Sequence, residues 1–167
     1  MILNIVAYPN PILKQKAKPI AEINKHIREI AKNMLETMYA QNGIGLAGNQ
    51  VGELLRIIVI DTQEEESYRP MVLINPEITW QSPELAERDE GCLSLIGVSE
   101  IVKRPSSVKV SYTNLEGEKV EIEADGLLAT ALQHEIDHLD GILFIDRISK
   151  LKRDMLIKKY KKAQEEK

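Results

Sequence analysis

From Ile23 to Met38 the apolar residues fall at Ile23, Ile27, Ile30, Ala31, Met34, Leu35 and Met38. That is the spacing of one helix face. Asn24 stands where an N-cap belongs and Asn42-Gly43 where a helix stops, so a first amphipathic helix is predicted over residues 24–41. Ahead of it, Pro9, Pro11 and Pro19 predict an irregular arm over residues 1–22. Behind it, GIGLAGNQVG is glycine-rich and aperiodic and reads as a loop. Leu55–Ile60 is a β-branched run that predicts a buried strand. Glu64-Glu65-Glu66 predicts an exposed turn, and Met71–Asn75 and Glu77–Trp80 two strands interrupted at Pro76. From Ser107 to Ala124 the pattern alternates on both sides of Asn114-Leu115-Glu116-Gly117, which predicts a hairpin. Asp125 is placed to cap a second helix running to about Leu139, with Gly141 after it. A last helix is predicted from about Ser149 to the end of the chain.

These elements imply an α+β fold: antiparallel strands packed around a central helix, flanked by the first amphipathic helix and a C-terminal helix. With 167 residues and no linker or repeat, the expectation is one domain over 1–167. A net charge of −4 argues against a polyanion such as DNA as partner of the whole molecule. One cysteine allows no internal disulfide, as suits a reducing compartment. The N-terminal stretch has no basic region followed by an apolar run, and nothing approaches the roughly 20 apolar residues of a membrane span. A cytoplasmic protein without membrane attachment is expected.

The chemistry begins in the second helix, at His134-Glu135-Ile136-Asp137-His138. Residues four apart stand above one another on a helix, so both imidazoles can share one metal ion. Glu135, one residue after the first ring, can exchange protons with a water there without being a ligand. The competing reading is an accidental pair of histidines. Against it, Leu127, Leu128, Ala131 and Leu132 anchor this helix in a core, where a dry, positioned pair is easier to build.

Catalytic metal sites usually take three protein ligands and leave a place for water. The remaining histidine, His26, lies among charges at the start of the first helix and reads as a surface residue. The extended metalloprotease pattern needs a histidine six residues past His138, where this chain has Phe144. A downstream glutamate would have to be Glu165 or Glu166, in a charged tail. Cys92 remains the strong candidate, its competing reading being a buried small hydrophobe. Gly91 beside it would permit close backbone approach.

Three motifs, GIGLAGNQ at 43–50, EGCLS at 90–94 and QHEIDH at 133–138, together resemble those of the peptide deformylases. The resemblance runs from the Pro9–Leu13 arm to Ile148. It implies a hydrolase that removes the formyl group from the N-terminal formyl-methionine of nascent peptides, releasing formate. By the same resemblance Cys92, His134 and His138 are the metal ligands and Glu135 the acid/base. Gln50 and the backbone amide of Leu93 are the oxyanion donors. Gly45 and Gly91 hold the substrate backbone, Arg104 lies beside the peptide, and Ile44, Leu127, Thr130 and Ala131 line the methionine pocket. The ligand set alone allows zinc, iron(II), cobalt or nickel. The resemblance implies Fe²⁺, with Zn²⁺, Ni²⁺ or Co²⁺ able to substitute.

The chain departs from the family pattern at Gly48, Asn49, Ile96 and Thr130. Gly48 is expected to loosen the backbone ahead of Gln50, Ile96 to alter the peptide-binding edge, and Thr130 to reshape the pocket. A metallopeptidase and a non-catalytic metal-binding protein are the competing readings. The first gives no role to Cys92 or GIGLAGNQ, and the second requires a closed four-ligand site. The C-terminal segment 151–162 is strongly basic. It reads either as a solvated face or, as the resemblance suggests, as a dock on ribosomal RNA.

Overall fold

The structure, a computed structural model, describes residues 1–64 and 67–166. The predicted turn at Glu64–Glu66 therefore lies, for Glu65 and Glu66, outside the described residues. Helix α1 spans Lys25–Ala40 and is capped by Asn24, whose side chain accepts from the Ile27 amide. Strand β1 (Gly45–Ala47) lies within the segment expected to be a loop, and β2 (Ile57–Ile60) follows. Next come β3 (Met71–Gln81), β4 (Leu85–Gly91), β5 (Ser99–Pro105), β6 (Ser107–Thr113) and β7 (Lys119–Asp125). Helix α2 spans Gly126–Leu139 and α3 Lys150–Glu165. The fold is α+β. Among the described residues no helix is long and apolar enough to cross a membrane.

Five antiparallel strands form one sheet in the order β1-β2-β3-β6-β7, and β4 and β5 form a separate hairpin. In β2, Ile58 and Ile60 pack into the core shared with α2, while Ile57 and Val59 pack into the core shared with α1. Burial on both faces explains why this strand reads as an unbroken apolar run. A third core joins the N-terminal arm, Phe144 and α3, through residues including Leu13, Leu156 and Tyr160.

Three expectations need correction. Pro76 does not end a strand: β3 continues through it, with its register against β6 shifting between Ile74 and Glu77. The Asn75 side chain ties this irregularity down, accepting from the Ile20 amide and donating to the Ile20 carbonyl. Asp125 does occupy the N-cap of α2, but its side chain makes no capping hydrogen bond. Gly48 is packed rather than loose. A Cβ there would stand 2.6 Å from the Leu55 carbonyl oxygen and 2.7 Å from that of Glu53. The turn at Gly48–Val51 needs a glycine because residues 53–55 cross directly against it.

Candidate active site

Helix α2 presents His134, Glu135 and His138 to the interior, all of them buried. The segment after β4 brings Cys92 to the same point. Its Sγ lies 3.4 Å from His138 Nε2, and one donor atom from each of Cys92, His134 and His138 lies within 4.8 Å of the others. A tetrahedral ion with bonds of 2.0–2.3 Å sets its ligand atoms about 3.5 Å apart, so this donor set fits a divalent metal with little movement. Two imidazoles and a thiolate are also the donor types such ions take. The buried Glu135 Oε1 has no partner among the described residues and stands beside this cluster. It offers an acceptor that only a bound molecule could use.

The surroundings of the rings fix their direction. Glu90, at the end of β4, meets His134 Nδ1 at 2.9 Å, which leaves Nε2 to face the cluster. Phe144 stacks on the same ring at 6.0 Å between centroids. Arg104 on β5 grips Glu90 with two hydrogen bonds, Nε to Oε2 at 2.7 Å and Nη2 to Oε1 at 3.0 Å. The electrostatics follow from this packing. Burial alone would depress His134, but the charge of Glu135 and hydrogen bonds to Cys92 and Glu90 raise it well above its ordinary value. Burial lowers His138 far below its ordinary value, leaving a neutral ring ready to ligate. Burial pushes the Glu135 carboxyl up to about 7, against the pull of His134.

Gln50 approaches from the 3-10 turn after β1. Its Oε1 accepts from the Ala47 amide at 3.0 Å, which orients the side-chain amide. Its Nε2 then donates to Ser94 Oγ at 3.1 Å and to Cys92 Sγ at 3.4 Å. The Ser94 amide makes a second 3.4 Å contact to that sulfur. A cavity of about 410 Å³ opens over the cluster. Ile44, Gly45, Gln50, Gly91, Cys92, Leu93, Leu127, Thr130, Ala131, His134 and Glu135 all line it, as does the half-exposed Ile96. At Gly45 a Cβ would stand 2.6 Å from Glu135 Oε2, so the strand backbone lies directly against the acid. Gly91 is under no such pressure; its nearest neighbour would be 3.6 Å away.

Arg104 is the exception among the expected substrate residues. Its side chain is 6% exposed and spent on Glu90 and on Asp137, 2.8 Å away, beneath the cavity rather than along it. The expected contact with peptide is corrected accordingly: the guanidinium is buried, directs three hydrogen bonds to Glu90 and Asp137, and does not line the cavity. Reading the residues missed Glu90 and Asp137 as supports, although both lie inside the quoted motifs. Asp137 is three residues after His134 and so on the same helical face. Ser94, the acceptor of Gln50 Nε2, likewise lies inside EGCLS.

A family model described as polypeptide deformylase matches residues 2–154. The chain is 52% identical to the peptide deformylase of Bartonella tribocorum, with 98% of this chain and 94% of that one aligned. It is 54% identical to that of Thermodesulfovibrio yellowstonii, over 96% of this chain and 97% of the relative. The crystal structure of a peptide deformylase from Legionella pneumophila superposes with a TM-score of 0.93 at 38% identity, covering 99% of this chain and 96% of the other.

Proposed function

This chain belongs to the polypeptide deformylase family, and from that premise we propose that Cys92, His134 and His138 hold one divalent ion beside which Glu135 moves the protons of formamide hydrolysis. The enzyme is a metal-dependent hydrolase that removes the N-formyl group from nascent peptides and releases formate. One observation carries the residue assignment. Three donor atoms from two distant segments converge within 4.8 Å, next to a buried carboxylate oxygen without a partner among the described residues.

When bound, the ion acidifies water and polarises the formyl carbonyl. Fe²⁺ is the ion proposed, with Zn²⁺, Ni²⁺ or Co²⁺ as substitutes. The remaining work falls to side chains. Glu135 takes a proton from the attacking water and gives it to the peptide nitrogen as the C–N bond breaks, so formate and a free amine leave. A carboxyl poised at about 7 serves both directions at neutral pH. Gln50 Nε2 and the Leu93 amide donate to the oxygen on which charge develops. Gln50 does so by exchanging its long sulfur contact for the oxyanion. The methionine side chain enters between Ile44, Leu127, Thr130 and Ala131. Among the described residues strand β1 is paired only with β2, so its open edge at Gly45 and the backbone at Gly91 receive the peptide.

The test is formate release from formyl-Met-Ala peptides by anaerobically purified protein, with its metal content measured on the same sample. Glu135→Gln is expected to keep its metal while losing about 10²–10⁴-fold in rate. Iron-loaded wild-type protein that releases no formate overturns the reading.

We further infer a cytoplasmic enzyme that docks on the ribosome through α3. Lys158, Lys159, Lys161 and Lys162 are exposed there, and such clusters suit contact with phosphate. Removing the helix would be a poor test, since Leu156 and Tyr160 are buried in the third core. Changing the four lysines to glutamine leaves that packing intact. Loss of co-sedimentation with ribosomes at low salt is expected, and unchanged co-sedimentation rejects the docking.

A further inference from the structure

Beneath the proposed metal ligands runs an unbroken ladder of charged groups that ends at the surface. His134 Nδ1 meets Glu90; Arg104 bridges Glu90 and Asp137; and Arg147 closes on Asp137 from the far side. Arg147 contributes two contacts, Nη2 to Asp137 Oδ1 at 2.7 Å and Nε to Oδ2 at 3.0 Å. It sits at the end of the 3-10 turn Phe144–Arg147, whose Phe144 stacks on His134. Neither the expected reaction nor the cavity uses it.

We propose that Arg147 is a positioning residue for the metal centre, acting through Asp137, Arg104 and Glu90 to fix the ring of His134. The inference rests on the ligand assignment above. With its side chain 45% exposed, Arg147 resembles an ordinary surface ion pair, which contributes little. Its partner argues otherwise, since the Asp137 side chain is only 12% exposed. The ladder holds two carboxylates and two guanidinium groups. Without Arg147 it holds a surplus negative charge, and Oδ1 of Asp137 loses the donor that occupies it. Arg104 is then drawn towards Asp137 and away from its two-point grip on Glu90. That grip fixes the plane of the Glu90 carboxylate, and the carboxylate fixes the direction of His134. A released Glu90 would accept the ring proton more strongly, which favours the ion. Losing the fixed ring direction works against this and is the larger effect, because a ligand that wanders leaves the coordination sphere entirely.

The test uses Co²⁺-loaded protein, with release to excess EDTA followed by decay of the cobalt absorption. Replacing a group directly bonded to a metal ligand costs 10–100-fold in metal affinity, so Arg147→Met, acting at a remove, is expected to release Co²⁺ about 3–10-fold faster. Arg147→Lys keeps the charge but not the two-point contact and is expected to fall between. The cobalt bands of Arg147→Met are expected to shift or broaden, a change that lost fold stability alone would not produce. Lys150→Met removes a nearby charge whose side chain is 91% exposed and is expected to match wild type. Release from Arg147→Met no faster than wild type, with unaltered bands, overturns the proposal while leaving the ligands standing. Wild-type protein that takes up no Co²⁺ overturns the ligand assignment and this inference together.

Discussion

The two halves of the proposed centre are held in different ways. The half on α2 consists of His134, Glu135 and His138 on one rigid element, backed by charged hydrogen bonds between Glu90, Arg104 and Asp137. The half facing it consists of Gln50, Cys92 and Leu93 on irregular segments, joined by neutral hydrogen bonds and 3.4 Å contacts to sulfur. What steadies this second half is the N-terminal arm. The Val6 amide donates to the Gln50 carbonyl at 2.7 Å and the Tyr8 amide to that of Ser94 at 2.9 Å. One half is therefore rigid by its own secondary structure, and the other because a remote strand of chain ties two loops together. Charged hydrogen bonds are roughly twice as strong as neutral ones, so the loop half should respond more readily to distant change.

The largest effect expected on the loop half is chemical. Gln50→Ala should lower kcat by about 10²–10³-fold, the usual consequence of removing one oxyanion donor. Co²⁺ content should stay at the wild-type level, since Gln50 is not among the proposed ligands. A drop below tenfold would mean that this half supplies a ligand and little else.

Next in size is the packing under Gln50. Gly48→Ala forces a methyl against two backbone carbonyls at 2.6 and 2.7 Å, neither of which can swing aside. Such overpacking costs about 1–3 kcal/mol, read as a lower urea midpoint at unchanged slope. Gly91→Ala is the control, because its Cβ would meet nothing closer than 3.6 Å, and its midpoint should hardly move. Equal losses at both positions would show that the loops are not differently packed.

The same contrast explains what the sequence disclosed. The helical half was legible because its geometry is local: apolar periodicity located α2, and a four-residue spacing put both histidines on one face. The convergence with Cys92 was reached by elimination and by the family's motifs, since nothing in EGCLS points across space to residue 138. GIGLAGNQ has no alternation, so the strand character of β1 is not visible in the sequence and comes from pairing with β2. The β4–β5 hairpin was missed for a different reason. Four of the seven residues in β4 are charged, and its buried position, Glu90, faces an arginine and a histidine instead of an apolar core. A strand whose inner face serves an ion-pair ladder leaves no hydrophobic trace.

A smaller effect sharpens the picture of Gln50. Ser94→Ala removes the 3.1 Å acceptor of Gln50 Nε2 and leaves only the sulfur to hold it. One neutral hydrogen bond is worth about 0.5–1.5 kcal/mol, so kcat should fall by about 2–12-fold. KM should change little, because Ser94 does not line the cavity. A rise in KM with kcat intact would instead place Ser94 in substrate binding.

The smallest effect tests whether the arm is itself propped from outside. Tyr160 on α3 donates to the Tyr8 carbonyl at 3.3 Å, and the two rings meet edge to face at 6.1 Å. Tyr160→Phe removes the hydroxyl and keeps the ring, a loss of about 0.5 kcal/mol for so long a bond. That corresponds to roughly twofold faster hydrogen exchange if it acts through local opening. The acceleration should be confined to the Val6 and Tyr8 amides, which bridge to Gln50 and Ser94, and absent from the amides of α2. If α2 exchanged faster by the same factor, the hydroxyl would be stabilising the molecule as a whole, and the arm would not be a separate brace for the loop half.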